Sequence, residues 1–137
     1  MDQAAQLGLA ERVHFLGWQP EVQSLIAQFE VFLAPSLWEG FGLVFLEAMA
    51  QARPIISTTA TSIPEVVPDG ECGLLTAPRD VPGLVAALTR LLDDPAYADH
   101  LGQVGRERLA TTFSPAQMVA QTAALYQELL HKNTPTP

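Results

Sequence analysis

Four short apolar runs, each closed by turn residues, alternate along this chain with segments of helical period, and this alternation limits the fold more than any other feature. The runs are "VHFLG" (13–17), "VFLAPS" (31–36), "PIIST" (54–58) and "GLLTAP" (73–78). Short apolar runs of this kind suit strands buried on both faces of a parallel sheet. Between 20 and 29, Val22, Leu25, Ile26 and Phe29 recur at helical spacing behind Pro20, which suits a first helical turn. Further helices are predicted over 43–51, and from Asp80 with Leu84, Leu88, Leu91 and Leu92 on one stripe. Another starts at Asp94-Pro95, with Tyr97, Leu101, Val104 and Leu109 facing inward. Ser114-Pro-Ala-Gln117 is a capping box for a last helix whose inner stripe is Met118, Thr122, Leu125 and Leu129. An opening helix is predicted over 2–7, with Gly8 as its stop. Strand–helix alternation is the mark of βαβ units. The expected fold class is therefore α/β, a parallel sheet of about four strands flanked by helices, over residues 1–132. The end, "NTPTP" (133–137), reads as a disordered tail.

Charge narrows the function. The 137 residues make one domain at most, and 48% hydrophobic against 16% charged is ample for a core. A net charge of −8 argues against nucleic acid, which needs clustered Lys and Arg. It is also awkward for a phosphate site, which would depend on backbone N–H groups, a helix end, or cations from elsewhere. No apolar run approaches the roughly 20 residues of a membrane span. "MDQAAQLGLAER" lacks the basic start of an export signal, so the expected compartment is the cytoplasm. The lone Cys72 gives neither a disulfide framework nor a metal cluster and reads as a small core residue. His14, His100 and His131 do not cluster, and Ser36 and Ser57 have no evident His/Asp partner for nucleophilic catalysis.

The stretch "SLWEGFGLVFLE" (36–47) carries the chemistry. It runs from the predicted strand 31–36 through a loop into the helix 43–51. Ligands of open α/β sheets bind at the carboxyl ends of strands, so the loop lies where a ligand would be. Gly40 and Gly42 permit positive φ and close approach to the backbone. The helix start offers free N–H groups to an anion, for which phosphate is the natural candidate. Glu47, among Leu46, Ala48 and Met49, needs hydrogen-bond donors, and a sugar diol provides two. Each acid alone also reads as solvated: Glu39 as a loop or helix-dipole acid, Glu47 as part of an amphipathic surface. Trp18 and Trp38, beside strand ends, read either as stacking platforms or as lip packing.

Glu39 and Glu47, with seven residues between them including Gly40-Phe41-Gly42, resemble the E-x7-E motif of retaining glycosyltransferases of the GT-B fold, family 4 (glycosyl transferases group 1). "VHFLGW", the run from "FLAPS" to "APRD", and "FSPAQMVAQTAALYQELL" are similar to that family's donor-binding part, over about residues 7–130. The resemblance implies a partial Rossmann-like domain, a truncated GT-B C-terminal domain. By it, Glu39 is the catalytic residue, stabilising positive charge at the donor's anomeric carbon. Donor contacts fall to Gly40, Phe41, Gly42 and Leu43 through the backbone, to Glu47 at the ribose, and to the turn at Gly17 and Trp18 near the base. The reaction is hexosyl transfer with retention from a nucleoside diphosphate sugar to an acceptor hydroxyl. The nucleotide sugar is a substrate, and neither cofactor nor metal is implied.

The sequence also departs from the family. Thr61-Ser62 stands where a glycine pair or Gly-Ser is frequent before Pro64-Glu65, and Arg53 where a small residue is frequent. The extra bulk narrows that loop, although hydroxyls remain available; Glu65 reads equally as functional or as a cap. The acceptor domain and the Arg/Lys segment that neutralises the diphosphate have no counterpart, and Arg53 and Arg79 are the bases nearest the relevant loops. In the strand order 3-2-1-4-5-6, the run 13–17 corresponds to strand 3 and lacks its neighbours. Self-association, or a separate subunit carrying the N-terminal half, is therefore expected, and the chain alone is expected to be inactive. The alternatives are a non-catalytic nucleotide-sugar-binding or assembly subunit, or a degenerate fragment without a ligand.

Overall fold

Ile55 and Ile56 lie at the centre of the molecule, both fully buried, on the middle strand of a parallel sheet. The computed structural model describes residues 2–132. The sheet order is β1 (Phe32–Leu33), β2 (Ile55–Thr58), β3 (Gly73–Thr76). Phe32 pairs with Ile55, and Ile55 with Gly73. All four residues of β2 are buried, as a strand covered on both faces requires.

The helices are α1 (Asp2–Gln6), α2 (Val22–Ile26), α3 (Leu43–Ala50), α4 (Ile63–Val66), α5 (Val81–Asp93), α6 (Pro95–Thr112) and α7 (Pro115–Lys132). Side chains of β2 alternate between two cores. Ile55 joins Ile26, Phe45, Met49, Ile63 and Val66, so α2, α3 and α4 cover one face. Ile56 joins Leu91, Ala98 and Leu101, so α5 and the start of α6 cover the other. Helix α6 passes from one core to the other, since Val104 and Leu109 pack in the first. Gly102 permits that crossing, because a Cβ there would stand 2.2 Å from the Ala52 carbonyl oxygen.

Local chemistry sets the helix starts. Asp80 and Asp94 accept hydrogen bonds from the Gly83 and Tyr97 N–H groups, each at 3.0 Å. Ser114 accepts from the Gln117 N–H at 3.2 Å, which is the N-cap half of the expected capping box. Helix α3 begins instead at Gly42, whose φ of +80° is left-handed.

Three expectations need correction. The sheet has three strands, not about four, because residues 13–17 form no ladder. Backbone N–H and C=O groups become strand only with a neighbour to pair with, and no strand among the described residues pairs with this run. Val13, Phe15, Leu16 and Trp18 are accordingly exposed. Second, the stripe of α7 is not core: every residue of that helix is exposed, Met118, Leu125 and Leu129 included. Third, the helix expected over 20–29 is ordered as helix only at Val22–Ile26. The tail expected at 133–137 lies outside the described residues. Among the described residues no helix is long and apolar enough to cross a membrane.

Burial pushes the Cys72 thiol up to about 11 from its ordinary 9.0; Arg108 opposes this and Glu71 reinforces it. A raised folded-state pKa contributes stability that is complete below the unfolded value and lost as pH rises through the folded one. Stability should therefore fall between pH 9.0 and about 11. Urea unfolding of Cys72→Ala should lack that component, and identical pH slopes in both proteins would contradict it. A second prediction concerns Gly42, where a Cβ would stand 2.5 Å from Cδ2 of the fully buried Phe45. Gly42→Ala should destabilise by about 1–3 kcal/mol in urea, from overpacking and positive φ together. A loss below about 0.5 kcal/mol, the range of neutral surface changes, would contradict it.

Candidate functional site

The loop after β1 stands at the carboxyl edge of the sheet, and side-chain hydroxyls hold it there. The last ladder hydrogen bond runs from the Ala34 N–H to the Ile56 carbonyl at 3.0 Å. Beyond it the backbones part. The Ser57 hydroxyl donates to the Ala34 carbonyl at 2.7 Å, and the Thr58 hydroxyl to the Ser36 carbonyl at 2.6 Å. The Thr61 hydroxyl donates to the Glu39 carbonyl at 2.7 Å and accepts from the Glu39 N–H at 3.0 Å. The Ser62 hydroxyl donates to the same carbonyl at 3.2 Å. Segment 57–62 thus fixes the path of the loop up to the acid. Thr61 does so at φ +45°, a region costly for a β-branched residue, on the order of 1–3 kcal/mol.

After Glu39 the chain turns into α3. Of the two glycines able to take positive φ, Gly42 uses that freedom and Gly40 does not. The Phe45 N–H is taken by the Gly42 carbonyl at 2.9 Å. The N–H groups of Phe41, Gly42, Leu43 and Val44 have no protein acceptor among the described residues. They form a cluster of donors at the positive end of an eight-residue helix, an arrangement that suits an anion. The Phe41 ring is anchored edge-on to Phe113, the residue that ends α6, with centroids 5.8 Å apart. Beside it, Leu43, Leu46, Phe113 and Met118 help to line an apolar groove of about 670 Å³.

Both carboxylates are half-buried, and no described residue offers either of them a hydrogen bond or an ion pair. Glu47 lies one helical turn after Leu43, on the same face of α3. Glu39 lies before the turn. Along the chain the two acids thus stand before and after the donor cluster, and no hydrogen bond joins them.

Other expected residues are not brought together here. Gly17 has φ +64° and open space around it, and Trp18 is 85% exposed. Among the described residues, no hydrogen bond or ring contact ties either of them to the Glu39 loop. Arg53 is not a phosphate ligand of this edge. It precedes β2, at the opposite end of the sheet, and donates to the Gln51 and Phe29 carbonyls at 3.0 and 2.9 Å. Arg79 follows β3 and so stands at the carboxyl edge, exposed.

Two elements of the site escaped the sequence reading. The hydroxyls of Ser57, Thr58, Thr61 and Ser62 were visible as the run "STTATS" (57–62) directly after a strand, a density that could have marked a tether. Arg108 left no local signal. Its guanidinium donates to the Glu65 and Val66 carbonyls at 2.7 and 3.1 Å, across 43 and 42 residues, and lies over the Phe113 ring at 5.3 Å. It fastens the end of α4 to α6.

Comparison with known proteins agrees with this architecture. The family model described as "Glycosyl transferases group 1" matches residues 1–94. The MMP alpha-(1->4)-mannosyltransferase of Mycolicibacterium hassiacum is 44% identical over 129 residues, covering 92% of this chain and 31% of that protein. Among solved structures, sucrose-phosphate synthase from Thermosynechococcus elongatus superposes with a TM-score of 0.84 at 34% identity, over 96% of this chain and 34% of its own. Anabaena HepE in complex with UDP gives 0.88 at 26% identity, over 93% and 35%. The chain thus spans about a third of the length of these relatives. On the family match and the shared fold, this chain belongs to the group 1 glycosyl transferases, with the architecture of part of a GT-B enzyme.

Proposed function

We propose that this chain forms the donor half of a glycosyltransferase site. In a full two-domain assembly it would transfer a hexosyl group from a nucleoside diphosphate sugar to an acceptor hydroxyl, with retention. The observation that carries the reading is the pair of unpartnered carboxylates, Glu39 and Glu47, on either side of the free N–H groups at the start of α3. A diphosphate accepts from those N–H groups, with Phe41, Gly42 and Leu43 as the donors. Glu47 accepts from the ribose hydroxyls, satisfying a half-buried acid that has no protein donor. Glu39 faces the sugar and stabilises positive charge at the anomeric carbon as the bond to phosphate lengthens. The departing phosphate oxygen takes the proton of the attacking hydroxyl on the same face, which gives retention. The nucleotide sugar is the substrate, and no metal or separate cofactor enters this scheme. Gly17 and Trp18 belong to the base end of the donor in this reading.

The HepE structures with UDP and with UDP-glucose support the ligand class, since those ligands are bound by a protein of the same fold. The cationic complement is incomplete: Arg53 lies at the wrong end of the sheet, and Arg79 alone follows a strand at the right edge. Phosphate neutralisation therefore draws on side chains outside these residues, and the chain alone is inactive.

Calorimetry with UDP, GDP, UDP-glucose and GDP-mannose tests the division of labour. Hydrogen bonds to a charged group contribute about 1.5–3 kcal/mol, so Glu47→Ala should weaken nucleotide and nucleotide sugar alike by roughly tenfold or more. Glu39→Ala should weaken only the sugar-bearing ligands. Equal losses for both ligand classes in both variants would contradict the assignment. Absence of binding by the unaltered chain would leave the alternative of a fragment without a ligand.

A second reading, assembly with another polypeptide, is favoured by the open edge of β1, the run 13–17, which joins no ladder among the described residues, and the wholly exposed α7. An edge strand beside exposed apolar side chains invites pairing. Light scattering over a concentration series should give a mass above the 14.8 kDa of one chain, or do so once a partner carrying the N-terminal half is added. A monodisperse 14.8 kDa species, unchanged by such a partner and with native amide protection over 13–17, would contradict it.

A further inference from the structure

We infer that Thr61 is a positioning residue for Glu39: its hydroxyl closes a ring on both backbone polar groups of the acid and sets where the carboxylate stands relative to the α3 donors. The inference rests on the proposed role of Glu39 at the donor sugar. Its structural part stands independently of that role.

Three observations carry it. First, one hydroxyl accepts from the Glu39 N–H at 3.0 Å and donates to the Glu39 carbonyl at 2.7 Å, across 22 residues of chain. A hydroxyl has one proton and free lone pairs, so it can make both bonds at once. Valine, of the same shape, makes neither. Second, Thr61 holds φ +45°. Glycine would relieve that strain and lose the hydroxyl. A strained, β-branched residue persists only where its surroundings over-determine it. Third, the segment bearing the hydroxyl is itself braced. Arg108 of α6 donates to the Glu65 and Val66 carbonyls at the end of α4, while Thr61 and Ser62 stand just before its start. Helix α6 therefore acts through Arg108 and α4 on the loop that carries the acid. Ser62 supports the same carbonyl at the longer distance of 3.2 Å and is the weaker tether.

The test uses the full chain and three variants. Thr61→Val removes the hydroxyl and keeps the shape. Thr61→Gly removes both the hydroxyl and the strain. Thr61→Ser keeps the hydroxyl. Amide exchange of Glu39 by NMR reads the tether directly and needs no ligand. It should quicken roughly tenfold in Thr61→Val and Thr61→Gly, the effect of one lost hydrogen bond, and stay near the original rate in Thr61→Ser. Thr61→Gly should lose Glu39 protection while its thermal midpoint is unchanged or higher, a combination that general destabilisation does not give. Unchanged Glu39 exchange in both Thr61→Val and Thr61→Gly would overturn the tether. Calorimetry with UDP against UDP-glucose, and GDP against GDP-mannose, then reads its consequence. Thr61→Val should lower affinity for the sugar-bearing ligand severalfold, leave the nucleotide unchanged, and be rescued by Thr61→Ser. Quickened exchange with no change in the sugar-to-nucleotide ratio would overturn the positioning role. If the unaltered chain binds no nucleotide sugar, the donor-site reading fails, and the exchange rates still decide the tether.

Discussion

A row of hydroxyl-to-carbonyl hydrogen bonds, from Ser57 and Thr58 in β2 and from Thr61 and Ser62 just beyond it, holds the loop on which the rest of the site depends. The β1–β2 ladder is short, ending at Leu33 and Ile56. Without side-chain donors past that point, the carbonyls of Ala34, Ser36 and Glu39 would turn to solvent and the loop would sample many paths. With them, the strand's direction is carried some way beyond its last ladder bond. Ser57 and Thr58 are buried, Ser62 is half-buried and Thr61 is exposed; a hydroxyl paired in this way is satisfied and directional, so it fixes geometry as well as adding stability.

From that tether the proposed donor site follows by short steps. The loop delivers Glu39, then turns at Gly42 in a left-handed conformation that the buried Phe45 ring makes obligatory for glycine. The turn starts α3, which leaves its first N–H groups without acceptors and places Glu47 one turn further along. Anion donors and two unpartnered acids then share one edge of the sheet. A ligand with a diphosphate between two hydroxyl-bearing groups would match that order of chemistries, and this is the ground on which a nucleoside diphosphate sugar is proposed rather than a simple phosphate ester.

Much of this was legible in sequence, for identifiable reasons. β2 and β3 announced themselves because both faces are covered, which leaves apolar side chains nowhere to alternate with polar ones. The capped helices α5, α6 and α7 announced themselves at Asp80, Asp94 and Ser114. The glycine turn with flanking acids marked the proposed site and carried the family resemblance. What failed were inferences about neighbours. The run 13–17 has strand composition and no strand to pair with. The α7 stripe has core composition, yet its residues stay exposed, and Met118 only borders the open groove beside Leu43 and Leu46. In each case the pattern records what the residues are suited to cover, while the outcome depends on an element elsewhere. Arg53 was misplaced for a related reason: nearness in sequence to the loops hid that it stands at the opposite end of β2. Long-range tethers such as Arg108 to Glu65 have no local pattern at all.

The central claim is that Glu39 and Glu47 serve different parts of one donor. Carboxyl 13C shifts of the two glutamates, with the 40–44 amide shifts, measure this most directly in a titration with UDP and then UDP-glucose, or with GDP and then GDP-mannose. The account predicts that nucleotide alone moves the Glu47 carboxyl and the α3 amides, and that the sugar adds a shift at Glu39. Shifts of both carboxyls with nucleotide alone, or shifts that bypass residues 39–47, would contradict it.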